Sequence, residues 1–185
     1  LAQKAARHVN KLLIDALVDN GTGYDSVAMF SDTHTARGQQ TASQDNSLAG
    51  TGTTTAQVAT DLSTGIAELM KFKDEANEPA NEVISRFAVV YPPELHKQMA
   101  EATGANIVSN TSNVQFAGMQ IDLVPSGRLT GDANDWYLLN TSDALRPLIF
   151  QERDPVSFHA LEDESDAGFF NEVWHYKARA TYRVG

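Results

Sequence analysis

The hydrophobic pattern of this chain changes period once, and that change restricts the possible folds more than any single residue does. Up to about residue 75, apolar side chains recur at three- and four-residue steps; from about residue 86 the apolar runs are mostly short, β-branched and aromatic. A step of three to four marks one face of a helix, and a step of two marks one face of a strand. Helices first and strands later give an α+β class rather than a chain of alternating βαβ units.

The first helix is predicted over Leu1 to Asp19, where Ala5, Val9, Leu12, Leu13, Ala16 and Leu17 form one stripe and Asn20-Gly21 supplies the stop. A short apolar segment, "VAMFSDTH", follows. The run "TARGQQTASQDNSLAGTGTTT" then reads as a long polar, mobile loop, with Leu48 its lone large apolar residue. A second helix is expected from about Thr55 to Glu75, capped by Thr54 or Thr55 and striped by Val58, Leu62, Ile66, Leu69 and Met70. "ANEPAN" ends it, because Pro79 cannot continue a helix.

"RFAVVY" reads as a strand and "PPELHKQMAEATG" as a short helix with Pro at its start and Gly104 at its end. "VQFAGMQIDLVP" and "DWYLLNT" are two further strands around a Gly/Asp/Asn turn. "RPLIFQER", "PVSFHALE" and "GFFNEVWHYKARATYRV" form a closing antiparallel sheet. In the last run Trp174, Tyr176, Ala178, Ala180 and Tyr182 face one side, and His175, Lys177, Arg179 and Arg183 the other.

At 185 residues the chain is long enough to bury roughly 70% of its unfolded surface without covalent staples. It has no cysteine, which excludes disulfides, thiolate catalysis and zinc-thiolate centres. The balance of 24 acidic to 14 basic residues leaves a net charge of −10. That sign opposes general nucleic-acid binding, which neutralises phosphates with Lys and Arg. It suits solubility, and also a protein that stays near nucleic acid without adhering to it. No apolar run approaches the roughly 20 residues of a membrane helix, and no signal-peptide pattern is present. The chain begins at Leu1 without Met and runs straight into a helical pattern, which reads as a fragment or mature form without its N-terminal part.

"FSDTH" places Ser31, Asp32 and His34 within five residues. A hydrolase nucleophile sits on a Gly-flanked elbow and draws its partners from distant segments, neither of which holds here. Asp32 and His34 could face one side of an extended segment and share a metal, with further ligands from elsewhere. The competing reading is polar capping where a strand leaves for a loop. Calcium loops fail: from Asp132, Tyr137 stands where Gly is needed and Asp143 replaces Glu, and from Asp163, Trp174 occupies the twelfth place. "GTGTTT" and "GTGYDS" lack the Lys and the spacing of phosphate loops. No catalytic set, metal site or cofactor follows from these residues.

Two charged regions remain. The acidic "LEDESDAG" precedes the basic face of Lys177, Arg179 and Arg183, and Arg146, Glu152, Arg153 and Asp154 flank an apolar strand. A solvated surface explains both, since exposed ion pairs add only about 0–1 kcal/mol. Contact between subunits explains them as well, with opposed charges setting register and partner choice.

Three blocks carry a specific resemblance: "AARHVNKLLIDALVDNGTGYDSVAMFSDTH", "LSTGIAELMKFKDEANEPANEVISRFAVVYPPELHKQM" and "WYLLNTSDALRPLIFQERDPVSFHALED". In this order they resemble the major capsid proteins of tailed bacteriophages, and among them the Mu-type major head subunit. The sequence departs from that pattern at Ser26, where relatives carry Gly, and at "HYKAR", where an aromatic-Gly pair is expected.

The resemblance implies the Hong Kong ninety-seven-type capsid fold, here without its N-terminal arm and extended loop. Residues 1–86 and 146–185 would be the peripheral domain, with Leu1 to Asp19 as spine helix, and 87–145 the inserted axial domain. It implies a non-enzymatic structural subunit of a phage or prophage icosahedral head, self-assembling through pentamers and hexamers. Its partners would be further copies, scaffold, protease and portal proteins, and packaged DNA enclosed without tight binding. Its location would be the virion, and the host cytoplasm during assembly. Without arm and loop, such a chain is expected to stay monomeric or form small rings. An encapsulin-like compartment shell, and more distantly a metal-dependent hydrolase using Asp32 and His34, are the alternatives.

Overall fold

The computed structural model describes residues 2–23, 25–35, 43–81, 84–104, 107–108, 111–112, 116–129, 134–143, 146–161 and 175–185. The chain divides into two compact units, one of Leu1–Ala16 with Leu148–Gly185 and the other of Leu17–Pro147. The architecture is mixed α+β, as the change of period requires.

Most of the larger unit's core lies between helix α2 and a three-stranded sheet. Helix α2 (Thr55–Lys71) starts at Thr54, whose hydroxyl accepts from Gln57 N while Gln57 reaches back to the Thr54 backbone in a capping box. Gly52, at φ +149, keeps this turn open, since a Cβ there would fall 2.5 Å from the Gln57 side-chain oxygen. Val58, Ala59, Leu62 and Ile66 are buried on one face. Each large aliphatic among them stabilises the fold by about 1.5–3 kcal/mol.

Strand β1 (Arg86–Tyr91) is the centre of the sheet, flanked by β4 (Gln120–Pro125) and β5 (Tyr137–Asn140). Phe87, Val89 and Tyr91 are fully buried, and Phe87 and Val89 share a face with Ile121, Leu123 and Leu138 in register. This face packs on α2 and on helix α3 (His96–Gly104), which contributes Met99 and Ala102. A 3-10 turn, Pro93–Leu95, leads into α3. Tyr91 is buried, which pushes its phenol pKa up, and its hydroxyl lies 2.8 Å from His96 Nδ1. β1 and β4 run parallel, so a crossover is needed between them, and α3 with the short pair β2 (Ile107–Val108) and β3 (Thr111–Ser112) lies on it.

In the smaller unit, α1 (Ala2–Val18) as far as Ala16 accompanies strands β6 (Phe150–Leu161) and β7 (His175–Val184). The two strands are antiparallel, from Phe150↔Val184 to Leu161↔His175. Tyr182 packs against Phe150 at 5.6 Å and meets His8 of α1 edge-on at 5.9 Å.

Three expectations are corrected. Helix α2 stops at Lys71, not Glu75, because Phe72 turns extended and Asp74 nucleates a tighter turn. Asp74 Oδ1 accepts from Ala76 N and Glu78 N, Ala80 N donates to Phe72 O, and Asn77 sits at φ 64. The stop expected at Asn20-Gly21 after α1 is present, with Asn20 at φ 47. The strand parts of "RPLIFQER" and "PVSFHALE" form one strand, Phe150–Leu161, with Arg146–Ile149 before it and Pro155 absorbed where the register shifts between Asp154 and Ser157. Among the described residues of the run "VQFAGMQIDLVP" only Gln120–Pro125 is strand, since residues 116–118 form a turn with Gly118 at φ 81.

Candidate subunit-contact surfaces

The FSDTH segment is held by amide side chains. The Asn20 side chain lies alongside Phe30 as a second strand would: Phe30 N donates to Asn20 Oδ1 at 2.6 Å, and Asn20 Nδ2 donates to Phe30 O at 3.2 Å. Asn46 does the same from the other side, accepting from Ser31 N at 2.7 Å and donating to Met29 O at 2.8 Å. Ser31 Oγ accepts from Thr33 N, closing a local turn. His34 places Nδ1 2.7 Å from Asp25 Oδ2 and Nε2 3.1 Å from Met29 O.

This geometry leaves neither His34 nitrogen available to a metal, and Asp32 is exposed and away from that pair. Among the described residues no group of three or more His, Cys, Asp or Glu could hold an ion. The hydrogen bond from His34, followed by that from Val27 N, holds the Asp25 carboxyl below its ordinary value. Sequence reasoning paired His34 with Asp32. The carboxylate that meets it is Asp25, brought round by a turn in which Gly23 N donates to Val27 O at 2.7 Å.

The candidate contact residues fall into two groups. Arg146 belongs to the larger unit, where its guanidinium donates to Thr141 O. Glu152, Arg153 and Asp154 on β6 and Lys177, Arg179 and Arg183 on β7 belong to the smaller unit, and all six are exposed. Lys177 lies opposite His159, Arg179 opposite Ser157, and Arg183 opposite Gln151, so the three cations share one face of β7. None of the six takes part in an ion pair among the described residues. The other face carries Phe158 at 52% and Tyr176 at 67% exposure, well above what a packed aromatic retains. The acidic residues 162–166 and Trp174 lie outside the described residues.

A surface that sequence reasoning missed is a cleft of about 620 Å³ within the larger unit. It is framed by the end of α1, residues 45–50, one side of α2 and β5. Leu17, Val18, Phe30, Leu48 and Trp136 supply its apolar part. Asp45, Asp61, Glu68 and Asp135 line it as well, and no Lys or Arg does. Asp61 takes two hydrogen bonds from Thr51, and Glu68 pairs with Lys71 at 2.6 Å. Asp135 has no hydrogen bond or ion pair among the described residues. No local pattern announces the cleft, because its walls come from segments spread between Leu17 and Pro147 that only the fold brings together.

A family model described as phage capsid protein matches residues 1–185. No curated protein and no solved structure matches the chain.

Proposed function

The chain belongs to the phage capsid protein family, and on that premise we propose that it is the major head subunit of a tailed phage or prophage, of Mu type. A capsid protein is a structural protein of the virion, and the match along all 185 residues is the observation that carries the reading. No helix among the described residues is long and apolar enough to cross a membrane.

In this reading the fold is of the Hong Kong ninety-seven type, with residues 1–86 and 146–185 as peripheral domain and 87–145 as axial domain. Copies assemble into pentamers and hexamers of an icosahedral shell, in the host cytoplasm, with scaffold, protease and portal proteins as further partners. Arg146, Glu152, Arg153, Asp154, Lys177, Arg179 and Arg183 contact neighbouring subunits. Their exposure, and the lack of ion pairs among the described residues for the six on β6 and β7, support that role. A net charge of −10 limits adhesion to the packaged DNA, which has to leave again.

Electron microscopy tests the proposal. The protein expressed from its complete coding sequence should form closed shells with five- and six-fold vertices. A product that stays monomeric across salt, pH and concentration would overturn the shell.

A further inference from the structure

Chains of net charge −10 repel one another, so a specific contact between copies needs patches of opposite sign. Among the described elements, β7 alone carries several cations and no carboxylate: Lys177, Arg179 and Arg183. They lie on one face, with Lys177 and Arg179 about 7 Å apart at the spacing of alternate strand residues. The cleft of the larger unit is its complement, with four carboxylates, no cation and an apolar wall.

The exposure of the strand pair points the same way. Tyr176, Lys177, Ala178 and Arg179 are all exposed, as are Phe158, His159 and Ala160 of β6, whereas Ala180, Thr181 and Tyr182 are half-buried. This outer half of the pair is therefore uncovered on both faces. Two strands alone are marginally stable in water, and a ribbon with exposed aromatics gains most from a surface that covers it.

We propose that the cationic face of β7 in one copy docks into the acidic, partly apolar cleft in the larger unit of a second copy. This rests on the shell reading and adds to it which two surfaces meet. Asp135, which has no hydrogen bond or ion pair among the described residues, and Asp45 meet Arg179 and Lys177. Because the two patches differ, the contact is head-to-tail, the type that closes into rings when the rotation between copies permits.

The 185 residues contain no cysteine, which makes cross-linking between introduced ones unambiguous. His159→Cys, on the cationic face opposite Lys177, and Asn134→Cys, beside Asp135 at the cleft, are placed on separate chains and mixed. The expected product under oxidation is a mixed disulfide dimer, well in excess of either self-dimer. In parallel, Lys177→Glu/Arg179→Glu/Arg183→Glu should raise the concentration needed for assembly at least about tenfold, and so should Asp45→Lys/Asp135→Lys. Both sets together in one chain should restore it to within a few fold of the original. Shells that form with neither the mixed dimer nor any response to the reversals overturn this contact and leave the shell standing. A mixed dimer without shells upholds the contact and overturns the shell. The absence of both overturns both. A reversal variant that fails to fold leaves the cross-link, made with near-native chains, to decide.

Discussion

At the scale of single residues, Asp25 and His34 convert a polar stretch into a fixed turn. The His34 ring spans the Asp25 carboxylate and the Met29 carbonyl, while Asn20 and Asn46 take the backbone groups that no strand satisfies. A backbone group shielded from water needs a partner, and for these half-buried groups the two Asn side chains supply it. Asp25 has its pKa lowered below 3.8, chiefly by the His34 hydrogen bond, and Asp122 has its own lowered by the Arg86 guanidinium at 3.0 Å. For a carboxyl depressed in the folded state, the unfolded chain binds the proton first as pH falls. Its stabilisation is therefore complete above about pH 3.8 and disappears as pH drops through the lowered native value. Asp25→Asn should lower the melting temperature at pH 7, and the gap to the parent should shrink below pH 4. Thermal unfolding followed by circular dichroism from pH 7 to 3 measures both, and a gap constant with pH would refute the assignment.

At the scale of elements, α2 is the piece on which the larger unit depends. Its capping box is local: Thr54→Ala removes the hydroxyl that accepts from Gln57 N and should cost about 1 kcal/mol. Its buried stripe is not local. Leu62 is fully buried between Val58, Val89, Tyr91 and Met99, and Leu62→Ala should cost about 2–5 kcal/mol, depending on how far the site collapses. Denaturant titrations of both variants give the comparison, and a loss at Leu62 no larger than at Thr54 would place the core elsewhere. Gly65 belongs to the same packing, because a Cβ there would stand 3.1 Å from Leu138 Cδ2, so the helix and β5 approach closely at this point. The pair β6–β7 has no comparable burial on its outer half, which is the observation behind the proposed contact with another copy.

At the scale of the whole molecule, the net charge sets a condition on assembly. A subunit that carries −10 assembles only where local attraction exceeds general repulsion. Salt screens both: the Debye length falls from about 30 Å at 0.01 M to about 8 Å at 0.15 M. The general repulsion acts over long distances and is screened first, while close opposite-sign pairs persist to higher salt. Assembly followed by light scattering should therefore rise from 0.01 to about 0.15 M salt and fall again towards 1 M. A steady rise across the whole range would mean that apolar burial, and not the β7 cations, holds the copies together.

The sequence by itself determined each element whose signal is local. The stripe of Val9, Leu12, Leu13 and Leu17 makes α1, the Thr54 cap and its stripe make α2, and the β-branched run from Phe87 to Tyr91 makes β1. The family was legible too, because the order of three segments carries it and no geometry is needed to read it. Only the tertiary structure decided that β4 runs parallel to β1, that Asp25 and not Asp32 meets His34, and that α2 yields to an Asx turn at Asp74. It also decided that Asp45, Asp61, Glu68 and Asp135 line one cleft. The physical reason is the range of the forces involved. Periodicity and capping act within a turn or a strand, whereas strand pairing and a shared cleft require closing long loops, whose favourable partners appear only after the chain has folded around them.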